Sequence, residues 1–121
     1  MSFGWIPEAE LQVLKLLWVN EPLTAREISA EIYNEETSSS VGTVQKLLQR
    51  LEAKKCVRRD RSEHAHRFSP TLTQTEIAAS QLDLLAERVS DGSLAPFVTG
   101  LVRGRRLSKR EKAEIRRLLD E

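Results

Sequence analysis

Ser40-Val41-Gly42-Thr43-Val44-Gln45-Lys46-Leu47-Leu48-Gln49-Arg50-Leu51 is the stretch on which the fold turns. Val41, Val44, Leu48 and Leu51 recur at helical spacing, with Leu47 beside them, and mark one apolar face. The other face carries Thr43, Gln45, Lys46, Gln49 and Arg50. It holds no carboxylate, which is unusual for a helix surface that meets only water. Ser40 is the expected N-cap, and the helix is expected to end near Lys54-Lys55.

Working outward, Val57–Arg61 and His64–Ser69 read as two strands around a tight turn at Ser62-Glu63, closed by Pro70. Upstream, Pro7 suits the first turn of a helix whose apolar face is Ala9, Val13, Leu14, Leu17 and Trp18. Asn20-Glu21-Pro22 ends it, because the residue before proline avoids the α region. Thr24-Ala25-Arg26-Glu27 is a capping box that opens a second helix with Ala25, Ile28 and Ile32 inward. Glu35–Ser39 is a polar break with room for a short strand. The order is helix, helix, helix, hairpin, which is that of a winged helix-turn-helix. The fold class is therefore mostly α with a small β-hairpin wing, followed by a C-terminal helical region.

In a winged helix the third helix enters the major groove and shows its exposed residues to base edges. Gln45 and Gln49 have the bidentate amide geometry for adenine, and Lys46 and Arg50 reach guanine. The Thr43 methyl can meet that of thymine. Ser40, the free amides at the helix start, and the hairpin side chains Arg58, Arg61, His64 and Arg67 are the expected phosphate contacts.

Taken whole, the charge of the chain argues against such a partner. In 121 residues, 19 basic and 18 acidic side chains leave a net charge of +1. The charges are unevenly placed. Residues 1–36 hold two bases against seven carboxylates, residues 37–70 eight against three, and residues 71–121 nine against eight, giving −5, +5 and +1. The basic block coincides with the third helix and the hairpin. A basic surface helix without a partner remains the bland reading. Fold order, charge block and a carboxylate-free face together favour double-stranded DNA.

Length bounds the rest. A chain of this size forms one domain, or one with an appendage. The tail shows two more capping boxes, Thr73-Gln74-Thr75-Glu76 and Ser108-Lys109-Arg110-Glu111. They frame three short helices. The first carries Ile77, Ala78, Leu82, Leu84, Leu85 and Val89 and stops at Gly92. The second opens at Ser93 and ends near Gly104, and the third carries Ile115, Leu118 and Leu119. The expected division is a DNA-binding domain at 1–72 and a helical dimerisation domain at 73–121. Three short amphipathic helices bury little within one chain. The expected dimer surface is Leu82, Leu85, Val89, Leu94, Phe97, Val98, Leu101, Ile115, Leu118 and Leu119. A tail folded back onto its own winged helix is the competing arrangement.

At this point the sequence resembles the penicillinase-repressor (BlaI/MecI/CopY) family of bacterial transcription repressors. The matching stretches are Ile6-Pro7-Glu8-Ala9-Glu10 with Leu17-Trp18, Pro22 through Ile28, and Thr43 through Leu51 with Ser40 before and Lys54 after. Phe68-Ser69-Pro70 and Asp91 through Pro96 complete them. The resemblance implies a homodimeric repressor on a dyad-symmetric operator. In the best-known members, release follows proteolysis triggered by a membrane sensor protease that responds to β-lactams. No cleavage site for such a sensor stands out here, so that link is not carried over. Copper-responsive members carry a cysteine motif in the tail, and this tail has no cysteine. The chain also departs from the family at two places. Lys54-Lys55 replaces a usual Lys-Gly, and Glu63-His64-Ala65-His66-Arg67-Phe68 replaces a wing that often reads Gly-Arg-Ala-Tyr-x-Tyr.

The smaller features point nowhere else. His64 and His66, two apart on an expected strand, share a face, but with Glu63 they make a poor metal site. Cys56, the single cysteine, reads as a small buried hydrophobe, and Trp18 and Leu17 read as core. The basic run Arg103, Arg105, Arg106, Lys109, Arg110, Lys112 reads as a solvated helix junction. Neither a cofactor nor an enzymatic activity is expected, because no nucleophile set, phosphate loop or paired carboxylates can be assembled. No apolar run approaches the roughly 20 residues of a membrane span. MSFGWIPEAE lacks the order of a signal peptide, so the cytoplasm is the expected compartment. A winged helix used only to bind another protein is the rival function.

Overall fold

The computed structural model describes residues 3–104 and 106–121. The elements run α1 (Glu8–Val19), β1 (Leu23–Thr24), α2 (Ala25–Tyr33), α3 (Ser38–Ala53), β2 (Val57–Asp60), β3 (Arg67–Pro70), α4 (Gln74–Ser90), α5 (Ala95–Arg103) and α6 (Lys109–Leu119). They fall into two compact units, Met1–Gln81 and Leu82–Glu121, divided within α4. The first unit is a winged helix. Its core joins Ile6, Val13, Leu14 and Leu17 of the N-terminal segment and α1 to Ile28 of α2 and Val44, Leu48 and Leu51 of α3. Val57, Phe68 and Ile77 close it from the hairpin and α4. Most of the apolar positions drawn from periodicity in α1, α2 and α3 are buried, though Ala9 is exposed and Trp18, Ile32 and Val41 are half-buried, and removing a side chain such as Leu48 costs about 2–5 kcal/mol.

The local signals explain where most elements start. At α2 the Thr24 hydroxyl accepts from the Glu27 amide at 3.1 Å, and the Glu27 carboxylate accepts from the Thr24 amide at 2.9 Å. The same reciprocal pair opens α4 at Thr73 and Glu76 and α6 at Ser108 and Glu111. Each satisfies two amides that have no partner within the helix. Pro7 sits one position earlier than expected, as the N-cap of α1, with its carbonyl accepting from Leu11.

Several boundaries differ from the sequence reading. The N-cap of α3 is Thr37, not Ser40; the Thr37 hydroxyl accepts from the Ser40 amide at 3.1 Å. With four hydroxyl residues in succession, Thr37 to Ser40, spacing alone does not choose between caps. The short strand lies at Leu23–Thr24 and not in Glu35–Ser39, pairing Leu23 with Phe68 and Thr24 with Arg67. The sheet is thus three-stranded and antiparallel, in the order β1-β3-β2. The hairpin strands are shorter than expected, and residues 61–66 form a six-residue loop in place of a two-residue turn. Asp60 turns the chain out of β2, its Oδ1 accepting from the Ser62 amide at 2.9 Å. Consequently His64 and His66 lie on the loop rather than on one strand face. In α4, Ala86 is buried while Ala78 is exposed. The N-cap of α5 is Leu94, with Ser93 Oγ accepting from the Ala95 amide at 3.3 Å.

The end of α3 is a Schellman turn. The Lys55 amide donates to Glu52 O and the Cys56 amide to Leu51 O, both at 2.9 Å, with Lys55 at φ 63°. A lysine therefore occupies a left-handed position that glycine fills without steric cost.

Candidate nucleic-acid interface

The five side chains assigned to the outer face of α3, Thr43, Gln45, Lys46, Gln49 and Arg50, are all exposed. The Thr43 hydroxyl donates to Ser39 O at 3.1 Å. That back-bond occupies the polar half of the side chain. Among the described residues, Lys46 and Arg50 have no carboxylate within 4 Å. The face therefore carries amide and cationic donors with no internal partner for the cations.

Ser40 is not part of that face. It is 6% exposed and lies in a buried cluster of hydroxyls. Ser29 Oγ lies 2.8 Å and Thr37 Oγ1 3.0 Å from Ser40 Oγ, which reaches Thr37 O at 3.1 Å. Its amide is held by Thr37. With hydroxyl and amide both engaged, Ser40 offers no donor to a phosphate. It fastens the start of α3 to α2 instead.

The wing cations divide into two groups. Arg58 is exposed and, among the described residues, unpaired, and Arg61 is exposed with Glu52 only at 3.9 Å. His64 is exposed on the loop. Arg67 is half-buried and pairs with Glu63 at 3.3 Å and Glu27 at 3.7 Å. Its charge is already met inside the unit, so a phosphate would have to compete for it. Arg59, which the sequence reading passed over, is the most constrained of the group. Its Nε and Nη2 donate to the two Glu52 oxygens at 3.1 and 2.7 Å, and its guanidinium lies 4.8 Å from the Phe68 ring centre.

A cleft of about 650 Å³ lies between α3 and the wing. Thr24, Ala25 and Arg26 line it from the start of α2, and Val41, Gln45 and Gln49 from α3. Arg59, His64, Ala65, His66 and Phe68 complete it from the wing. The candidate base-reading face and the wing loop are thus two walls of one groove.

A second unforeseen pair anchors α3 from behind. Glu10 of α1 is 2% exposed, and its carboxylate accepts from Lys54 Nζ at the end of α3. The two are 44 residues apart, beyond any local pattern. Beside them, burial pushes the Cys56 thiol above its ordinary range. Lys54 opposes that shift, and Glu10 adds to it. The Asp60 carboxyl is held below the usual carboxylate range by its bonds to the Ser62 amide and then hydroxyl. Among the described residues no group of three His, Cys, Asp or Glu is placed to hold a metal. No helix there is long and apolar enough to cross a membrane.

In the second unit, α5 and α6 bury none of their residues. Of the side chains assigned to dimerisation, Leu85 and Phe97 are half-buried. Leu82, Val89, Leu94, Val98, Leu101, Ile115, Leu118 and Leu119 are exposed, the last at 78%. Val102, not among those expected, is exposed as well. In the basic run, Arg103, Arg106, Lys109, Arg110 and Lys112 are exposed, and Arg105 lies outside the described residues.

Residues 6–121 match the family model described as Penicillinase repressor. The chain is 25% identical over 118 residues to a penicillinase repressor of Staphylococcus aureus, covering 96% of this chain and 91% of that one. It is 24% identical over 116 residues to a penicillinase repressor of Bacillus licheniformis, covering 96% and 90%. Because the match spans both units, from the segment before α1 to the end of α6, the chain belongs to the penicillinase repressor family.

Proposed function

We propose that this protein is a sequence-specific DNA-binding transcription repressor that acts in the cytoplasm as a homodimer on a dyad-symmetric operator. The observation that carries the reading is the outer face of α3. It has five exposed residues, no carboxylate among them, and no carboxylate within 4 Å of its cations among the described residues. Gln45 and Gln49 supply paired donor and acceptor for adenine, Lys46 and Arg50 donate to the two guanine acceptors, and the Thr43 methyl reads thymine. Arg58, Arg61 and His64 hold phosphates on the wing side of the groove, and Arg67 joins them by exchanging Glu63 for phosphate. Repression follows from occupancy of the promoter. The division within α4 leaves the reading head in the first unit and the helices proposed to pair in the second.

The apolar side chains left exposed on α4, α5 and α6 support the homodimer. So many large apolar side chains left exposed in some 40 residues call for a cover, and a two-fold pair buries the same surface from both copies. Two reading heads then address two half-sites.

Selection of bound fragments from genomic DNA, followed by titration at several salt concentrations, tests the reading. A dimer neutralising roughly six to eight phosphates should show a log–log salt slope of about −5 to −7. Gln45→Ala should relax the base preference at one position of each half-site, while Arg58→Ala should weaken binding to all sequences alike. Absence of binding to any duplex at low salt would leave the protein-interaction alternative in its place.

A further inference from the structure

Glu52 is the only carboxylate of α3, and it stands one turn from the reading face. A carboxylate so close to a polyanion weakens binding unless something offsets it. The structure shows what does. Glu52 takes the Arg59 guanidinium in a two-point fork, at 2.7 and 3.1 Å, with side chains 27% and 20% exposed. The back of Arg59 packs on Phe68, its cross-strand partner, and Nη1 lies 3.3 Å from His66 Nδ1. One guanidinium thus touches the recognition helix, the sheet and the wing loop.

The wing needs such a tie. Its two strands have four residues each, and β2 lies at the edge of the sheet. A short two-stranded ribbon is marginal alone. Along β2 the residues alternate, so that Arg58 faces solvent while Arg59 turns toward α3. Neighbouring arginines therefore serve opposite ends.

We propose that Glu52 and Arg59 are a positioning pair. By fastening the edge of the wing to the recognition helix, they set the angle at which Arg58, Arg61 and His64 meet the duplex that α3 reads. Arg59 itself is not a phosphate contact. The proposal rests on the DNA reading above and assigns to the pair the task of making helix and wing one rigid reader. Lysine cannot replace Arg59, because it carries the charge without the fork.

The test turns on a sign. By charge alone, Glu52→Gln removes a repulsion and should tighten DNA binding. Positioning requires the reverse: Glu52→Gln and Arg59→Lys each weaken operator binding about tenfold. Wing-side hydroxyl-radical protection should fade while guanine-methylation interference under α3 persists. The double variant Glu52→Arg/Arg59→Glu should recover part of the loss. Equal or tighter binding by Glu52→Gln overturns the proposal, as does a drop of about one in salt slope for Arg59→Ala with Glu52→Gln unchanged, the signature of a phosphate contact. Hydrogen exchange on the full chain without DNA keeps the two readings apart. Glu52→Gln should speed amide exchange across residues 61–66 and leave the α3 core protected. If the wild type binds no DNA yet the loop loosens, the DNA reading alone fails. Unchanged loop exchange overturns the pair.

Discussion

Replacing Lys55 by glycine should stabilise the protein. Lys55 ends α3 at φ 63°, its amide and that of Cys56 closing the Schellman turn on Glu52 and Leu51. For an L-residue the left-handed region costs roughly 1–2 kcal/mol, through Cβ crowding against the carbonyl. Glycine removes that cost and adds about 0.5–1 kcal/mol of unfolded-chain entropy to be lost on folding. The net gain is about 0.5–1 kcal/mol. The Lys55 side chain is exposed and, among the described residues, makes no ion pair, so little else is removed with it. Urea unfolding followed by circular dichroism should show a midpoint raised by about 0.3–0.5 M with an unchanged slope, taking a slope near 2 kcal/mol/M. Protein concentration must be held fixed, because association of copies would shift the midpoint by mass action. Lys55→Ala is the control. It removes the same charge but keeps the Cβ, and should leave the midpoint within error. The reasoning fails if glycine lowers the midpoint or leaves it unmoved. It fails equally if alanine gains as much as glycine, which would make the effect one of charge rather than of φ.

Three further outcomes follow from the same structure. Cys56, buried and with its thiol pushed above the ordinary range, should react with a disulfide reagent at pH 7.5 only as fast as the fold opens. Urea should accelerate the reaction, and rapid labelling of the native protein would contradict its placement. Under the proposed homodimer, Val98→Asp and Leu118→Asp should each leave a sedimenting monomer while keeping the helical circular dichroism, since both side chains are exposed in the single chain. A dimer that survives both would move the interface elsewhere. Asp60 has a folded-state value held low by Ser62. Its clasp is therefore intact above the unfolded aspartate value, near 3.9, and is lost as pH falls through the lower folded value. The Ser62 amide resonance should stay put from pH 7 to 5 and move only under strongly acidic conditions; an earlier shift would break the assignment.

What could be read from the sequence was local or periodic. The three capping boxes are four-residue patterns, and each forms between the residues that spell it. The faces of α1 and α3 repeat every three to four residues, and the buried set follows. What escaped was short or long-range. Two residues, Leu23 and Thr24, are too few for alternation to mark a strand. Ser40 looked like a cap because serine favours caps, yet Ser29, eleven residues earlier, draws it into the interior. The wing was read with strands running nearly to its tip, since nothing local reveals that Asp60 folds back onto Ser62. Glu10 and Lys54 are 44 residues apart, beyond any local window, and Glu52 and Arg59, though seven apart, join a helix to a strand, so neither element's own period relates them.

These pairs change the meaning of the charge blocks. The +5 of residues 37–70 is not all offered outward. Lys54 faces Glu10, Arg59 faces Glu52, and Arg67 faces Glu27 and Glu63. Glu10 and Glu27 come from the acidic first block, so part of that block's charge neutralises the second from within. Within residues 37–70, the cations that stay exposed without a close carboxylate among the described residues are Lys46, Arg50, Lys55 and Arg58, with Arg61 loosely held. The first two lie on the reading face and the others along the turn and the wing. The paired arginines and Lys54 tie helix and wing to their neighbours, and under the proposed function the unpaired cations meet the duplex. A raw count of basic residues therefore overstates the phosphates one chain engages. About four or five per copy bounds the salt slope from above near −9 for a dimer, and a measured slope steeper than that would require the internal pairs to open on binding.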